Sequence, residues 1–284
     1  MDDPRKRAEH ESRISLYGLG RTALFASQYD QRFSYCLYVP SSFREEGENT
    51  YPLAVIMHGS LRDAQAYRDR FADWAEEAQV VLLAPLFPGG IIVPGDVSNY
   101  RFMEWHGIRF DQVLLAMIDE VTPVYRLRSE RFLLHGFSAG GHFAHRFLYL
   151  HPQRLAGVSI GAPGIVTLLD EEHDFWVGVR DLEARFGIAP NIPAMREVAV
   201  QMVVGGDDTE TWEIAIPPTS PRWMPGAELA GPHRLARITA LRDSFERNGI
   251  PVQLDVVPGV AHSHTGVVYA VERFFREVRP RLGE

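Results

Sequence analysis

The amino-acid sequence predicts an α/β protein whose central sheet is mostly parallel and covered by helices on both faces. Three observations carry that expectation. Continuous apolar runs such as Pro52-Leu-Ala-Val-Ile-Met-His-Gly59 and Val80–Ala84 suit strands buried on both faces. Segments between the runs repeat apolar residues at helical spacing, with charges opposite. The two kinds of segment alternate, and such alternation calls for parallel pairing through crossover connections. The 284 residues contain no internal repeat and no dividing linker, so one domain over 1–284 with two insertions is expected.

The elements follow in order. The first dozen residues are charged and expected to fray. Residues 14–30 are expected to supply edge strands or an arm over the sheet. Phe33–Val39 alternates up to Pro40 as a strand does, and 41–51 reads as a polar loop with Gly47 and Asn49. Pro52–Gly59 is a central strand. Residues 64–79 place Tyr67, Phe71, Trp74, Ala75 and Ala78 at helical spacing. Val80–Ala84 is the next strand, and 85–99, rich in proline and glycine, is an irregular loop. Residues 107–124 carry the stripe Ile108, Val113, Leu114, Met117, Ile118 and Val121 of a helix. Phe132–Leu134 is a short strand, with a helix behind it marked by Phe143, Phe147, Leu148 and Leu150. After the strand Leu155–Ile160 the rhythm stops from about 165 to 196, apart from a helical pattern at 177–186. The sheet resumes at Val198–Val204, and a second irregular stretch fills 209–232. Helix 235–247, strand Val252–Val257 and helix 266–279 complete the chain. Ligands of open α/β sheets sit at the carboxyl ends of the strands, where both insertions are expected as cap-like additions.

Composition narrows the function classes. The chain is 45% hydrophobic and 23% charged, ordinary for a globular protein. Its net charge of −8 speaks against nucleic acid or an anionic membrane as main partner, since neither favours an acidic surface. The one cysteine, Cys36, cannot form an intramolecular disulfide and is expected to be a buried, inert thiol. Residues 1–10 lack the apolar segment of a signal peptide and no run of 18 apolar residues occurs, so a cytoplasmic protein is expected.

Chemistry concentrates at Gly136-Phe137-Ser138-Ala139-Gly140, which lies between a strand and a helix, the context of a nucleophile elbow. A turn that tight lifts the serine hydroxyl clear of the sheet. It also aims the Ala139 N–H, at the start of the helix, toward a developing oxyanion. A serine needs a base and a group to orient that base. Of 11 histidines, His262 in Val257-Pro-Gly-Val-Ala-His262 is preferred, because it lies just past the last strand at the same sheet edge; His264 is the alternative. His142 and His145 sit on the elbow helix and are read as packing or solvent-contact residues, and His151 as a C-terminal cap. The acid is expected after the strand at 198–204, where the spacing Gly205-x-x-Asp208 favours Asp208 over Asp207. The second oxyanion donor is expected in His58-Gly59-Ser60, from the N–H of Ser60 with Leu61 in reserve, His58 fixing the loop. The order Ser138, Asp208, His262 is that of the α/β-hydrolases.

With its His-Gly-Ser loop, Gly-Phe-Ser-Ala-Gly-Gly-His elbow, Gly-Gly-Asp-Asp turn and Pro-Gly-Val-Ala-His ending, the chain resembles α/β-hydrolases. Within them it resembles the esterases related to polyhydroxybutyrate depolymerase, feruloyl esterase and dienelactone hydrolase. The resemblance spans about 33–279. It implies the α/β-hydrolase fold and hydrolysis of a small-molecule carboxylic ester through an acyl-enzyme, without cofactor or metal. The chain is expected to depart from secreted depolymerases in having no signal peptide or disulfide, and from dienelactone hydrolase in using serine rather than cysteine. A His-Gly-Gly-Gly motif is also absent. Leu61, Tyr100, Trp105, Phe137, Trp176 and Trp212 are expected to shape an apolar, partly aromatic pocket, with Arg101, Arg109, Arg180 and Glu104 as candidate polar anchors. A peptidase or acyltransferase with the same three residues, or a silent binding protein on the same fold, are the alternatives.

Overall fold

The computed structural model describes residues 14–283. The charged segment expected to fray lies outside them. In chain order come β1 (Gly20–Arg21), β2 (Phe25–Ala26), β3 (Ser34–Val39), β4 (Tyr51–Met57), α1 (Ala64–Arg70), α2 (Ala72–Ala78) and β5 (Val81–Leu86). A hairpin of β6 (Glu104–Trp105) and β7 (Ile108–Arg109) leads to α3 (Phe110–Tyr125), β8 (Leu127–Phe137) and α4 (Ala139–Leu150). Then follow β9 (Leu155–Gly161), the short α5 (Leu182–Phe186) and α6 (Ile192–Arg196), β10 (Ala199–Gly205), α7 (Arg234–Arg247), β11 (Val252–Val257) and α8 (His264–Val278).

Among the described residues nine strands make one sheet, ordered β1-β3-β5-β4-β8-β9-β10-β11, with β2 also paired to β3. From β5 to β11 all pairings are parallel; β1, β2 and β5 meet β3 antiparallel. All seven residues of β4 are buried, so helices must cover both faces of the sheet there. On one face Phe71 and Trp74 meet Phe275 of α8; on the other Phe110 and Phe143 meet Phe87, and Tyr149 of α4 meets Phe245 of α7. Cys36 is buried, and burial pushes its thiol up to about 11. Among the described residues no helix is long and apolar enough to cross a membrane.

Four boundaries differ from the sequence expectation, the first being the helical pattern at 177–186, of which only Leu182–Phe186 is helix because Asp181 before it leaves helical geometry (φ −102°, ψ 13°). The helix expected over 64–79 is two helices, because Phe71 leaves helical geometry (φ −105°, ψ 2°) and turns its ring onto His135, His264 and Phe275. The helix expected from 107 begins at Phe110, since His106 and Gly107 both take positive φ in the β6–β7 hairpin. β8 extends back from Phe132–Leu134 to Leu127, with Leu127 paired to Tyr51; Arg128 and Glu130 interrupt the apolar run without ending the strand.

The sheet converges on the turn from β8 to α4. Ser138 sits in that turn at φ 57°, ψ −116°, a conformation that costs a side-chain-bearing residue about 1–3 kcal/mol. The surroundings hold it there. Its N–H donates to the Gly161 carbonyl at the end of β9 (2.8 Å). A Cβ on Gly136 would stand inside the Gly140 carbonyl, and one on Gly141 inside that of Gly161. Helix and strands thus touch through bare backbone. Gly136→Ala should therefore lower unfolding stability by about 2–3 kcal/mol, as overpacking against rigid backbone does. Urea titration measures this, and an unchanged midpoint would show that the turn has slack.

Candidate active site

Three carboxyl-end loops deliver side chains to Ser138. The loop after β11 brings His262, whose ring stacks on Phe137 with centroids 4.9 Å apart. The loop after β10 brings Asp208. The Ser138 hydroxyl lies 3.0 Å from His262 Nε2, and His262 Nδ1 lies 2.7 Å from Asp208 Oδ2. A carboxylate only accepts, so the proton between them is on Nδ1, which leaves Nε2 to receive the serine proton. Asp208 is buried whereas its neighbour Asp207 faces solvent. The backbone explains the difference: the Asp207 N–H is tied to the Val260 carbonyl and the Asp208 N–H to that of Gly205. Arg234, also buried, places Nη1 3.4 Å from Asp208 Oδ1 and donates through Nη2 to Glu213 (2.6 Å).

His264 is turned away from Ser138. It stacks on Tyr67 at 4.0 Å and lies 3.2 Å, Nε2 to Nε2, from His135 inside the sheet. His135 Nδ1 reaches Ser159, and the Ser159 hydroxyl donates to Gln201, which donates to Asp255 and the Ala270 carbonyl. This buried polar row fixes the root of α8, two residues from His262.

The loop after β4 supplies the third wall. His58 is fully buried: Nδ1–H donates to the Gly59 carbonyl (2.8 Å) and Nε2 accepts from the Phe87 N–H (3.0 Å). Burial pushes its pKa down to about 3. Ser60 and Ala139, the two candidate oxyanion donors, both line the cleft that holds Ser138, and among the described residues neither N–H is taken by another protein group. The Ser60 hydroxyl accepts from Arg101 Nη2 (2.7 Å).

Two clefts meet at Ser138. One, of about 370 Å³, is lined by Ala139, His142, Ile165, Trp212, Ile214 and three arginines, Arg101, Arg222 and Arg234. The other, of about 490 Å³, is lined by Leu61, Tyr67, Arg70, Phe137, His262 and His264. Ser60, Ser138 and Glu213 belong to both. Of the expected pocket residues, Leu61, Phe137 and Trp212 lie here. Tyr100, Trp105 and Trp176 line neither cleft. Tyr100 is wholly buried, donating to the His58 carbonyl (2.8 Å) behind the loop. Trp105 packs in the β6–β7 hairpin beside His106. Trp176 faces a separate small cavity and donates to the Arg222 carbonyl. The expectation of an apolar, aromatic pocket is corrected accordingly, because arginine and serine take much of the wall. Of the candidate polar anchors only Arg101 lines a cleft. Arg109 is paired with Asp111, Arg180 with Asp174, and Glu104 accepts from Gly107 N–H. Arg234 and Glu213 escaped the sequence reading, since neither stands in a motif that separates it from a surface charge.

Of the two roles left open for His142 and His145, packing or solvent contact, both residues pack: they are buried. His142 Nε2 accepts from Ile165 N–H (3.0 Å) and His145 Nε2 from Thr167 N–H (3.1 Å), so the elbow helix holds the first insertion. His151 stands at the C-terminus of α4 as expected, and its ring also pairs with the buried Asp111 (2.8 Å).

No protein-family model and no curated protein sequence matches the chain. Solved structures do match in fold. Poly(aspartic acid) hydrolase-1 from Sphingomonas sp. KT-1 superposes with a TM-score of 0.72 at 22% identity, over 89% of this chain and 97% of that one. LpqC, a poly(3-hydroxybutyrate) depolymerase from Bordetella parapertussis, gives 0.70 at 24% identity over 93% and 95%. A ferulic acid esterase gives 0.62 at 15% over 91% and 97%. The chain has the α/β-hydrolase fold.

Five buried histidines, His58, His135, His142, His145 and His264, are held neutral by burial, with pKa values pushed below the usual range. Unfolding frees them to take up protons near their ordinary value, so stability present above about pH 6.5 is lost as pH falls below it, by up to about 1.4 kcal/mol per pH unit per histidine. Urea unfolding at pH 7.5 and 5.5 should show a marked fall. A flat profile over that window contradicts the neutral assignment.

Proposed function

We propose that the chain is a serine hydrolase that cleaves a carboxylic ester of a small or medium-sized molecule through an acyl-enzyme. The observation that carries this reading is the unbroken line from Asp208 through His262 to Ser138, at a strained turn opening onto two clefts. The fold neighbours' names, a hydrolase, a depolymerase and an esterase, support hydrolysis as the reaction class.

Each residue then has a task. His262 Nε2 takes the proton as Ser138 Oγ attacks the ester carbonyl, and Asp208 keeps the imidazole oriented and balances the charge it gains. The tetrahedral oxyanion is received by the N–H groups of Ser60 and Ala139, with the N-terminus of α4 adding its dipole. Collapse expels the alcohol, which leaves with the proton from His262. Water, activated by the same nitrogen, then attacks the acyl-Ser138 carbonyl, and collapse frees the acid and restores the serine. Arg234 is assigned a positioning role, holding Asp208 from the side away from His262.

A fluorophosphonate should label wild-type protein at Ser138, found by peptide mapping. Ser138→Ala and His262→Ala should each lower turnover of an activated ester by about 10³-fold or more. Asp208→Asn should cost far more than Asp207→Asn, and full activity in Ser138→Ala would end the enzymatic reading.

A further inference from the structure

The two clefts at Ser138 are chemically unequal, and their linings allow the halves of an ester to be assigned. Building on the esterase reading, the leaving alcohol must depart beside His262, which protonates it. His262 lines the larger cleft and not the arginine-lined one. Ala139, whose N–H faces the carbonyl oxygen in the proposed mechanism, lines the arginine-lined cleft and not the larger one. The acyl group therefore belongs among the arginines.

We propose that this cleft receives an acyl chain ending in a carboxylate, so that the substrate is a monoester of a short dicarboxylic acid. Three arginines line one small cleft in a chain of net charge −8. Arg234 is committed to Asp208 and Glu213, and Arg222 stands 3.8 Å from Asp96. Arg101 has no carboxylate partner among the described residues, and its Nε is buried with no hydrogen-bond partner. Arg101 is half-buried and Asp96 is the carboxylate that acts on it from beyond ion-pair distance, so an incoming anion would give it the direct partner it lacks. His142 lines the same cleft and holds an unpartnered donor. Its Nε2 is occupied in accepting from Ile165, so the neutral ring carries its proton on Nδ1, which is buried and unpartnered. Glu213, shared with the other cleft, is the opposing charge, and Arg234 already occupies it. The chain must be short, because Arg101 donates to Ser60, the residue assigned to the oxyanion.

The test compares monomethyl glutarate with methyl pentanoate, esters of equal carbon count, by acid release in a pH-stat at low salt. The acidic ester should have a kcat/KM about tenfold higher or more, the size expected of a hydrogen bond to a charged group. Added salt should shrink that ratio. Arg101→Met and Arg222→Met should each lower the ratio, and Arg101→Lys should retain part of it. A fall in both substrates at constant ratio would assign Arg101 only to holding Ser60 and overturn the proposal. So would a wild-type ratio of one. Independently, free glutarate should slow fluorophosphonate labelling of Ser138 more than pentanoate does, and equal protection counts against the acid pocket. Absence of both ester turnover and labelling would instead remove the hydrolase reading on which it rests.

Discussion

The whole site hangs on a backbone contact. Gly136, Gly140 and Gly141 let the first turn of α4 lie directly against β4, β8 and β9, with carbonyl oxygens where side chains would otherwise be. That closeness forces Ser138 into its positive-φ turn, and the bond from its N–H to Gly161 keeps it there. The strain is local and the support is spread over three strands. A hydroxyl carried in this way has little further freedom to lose, so the geometry that the proposed reaction needs is prepared by folding rather than by binding.

The remaining parts reach the same spot because parallel strands end at one edge. The loops after β4, β8, β10 and β11 therefore converge although their residues lie far apart in the chain. Each loop is fixed differently. The first relies on the buried His58 and Tyr100, the third on backbone bonds from Asp207 and Asp208, and the last on the row from His264 to Asp255. Neutral histidines suit these duties, since each can donate and accept at once while adding no buried charge.

The sheet, its main helices and the candidate nucleophile, base and acid were legible because each rests on a local pattern: an apolar run, a helical stripe, or glycines at fixed offsets. The choice of Asp208 over Asp207 came from spacing and agrees with which of the two reaches His262. The cleft walls were not legible. Tyr100 and Trp176 look like pocket aromatics in sequence, but a loop's side chains turn inward or outward according to partners elsewhere in the chain. Tyr100 found the His58 carbonyl and Trp176 that of Arg222. Arg234 and Glu213 matter through contact with each other and Asp208, which no spacing announces. The break at Phe71 likewise depends on partners 64 to 204 residues away, namely His135, His264 and Phe275.

Arg146, on α4 two turns beyond Ser138, is wholly buried and, among the described residues, has no carboxylate partner; it donates to the Arg101 carbonyl and to Thr167 Oγ1 (2.9 Å) and lies over the rings of Phe102 and Phe175. The helix that begins behind Ser138 thus also clamps two segments flanking the arginine-lined cleft. A chimaera that grafted the 87–103 loop onto a sister scaffold would have to transplant this arginine with it. Otherwise the graft would arrive without its fastening, and the two walls could drift out of register with the serine they are meant to serve.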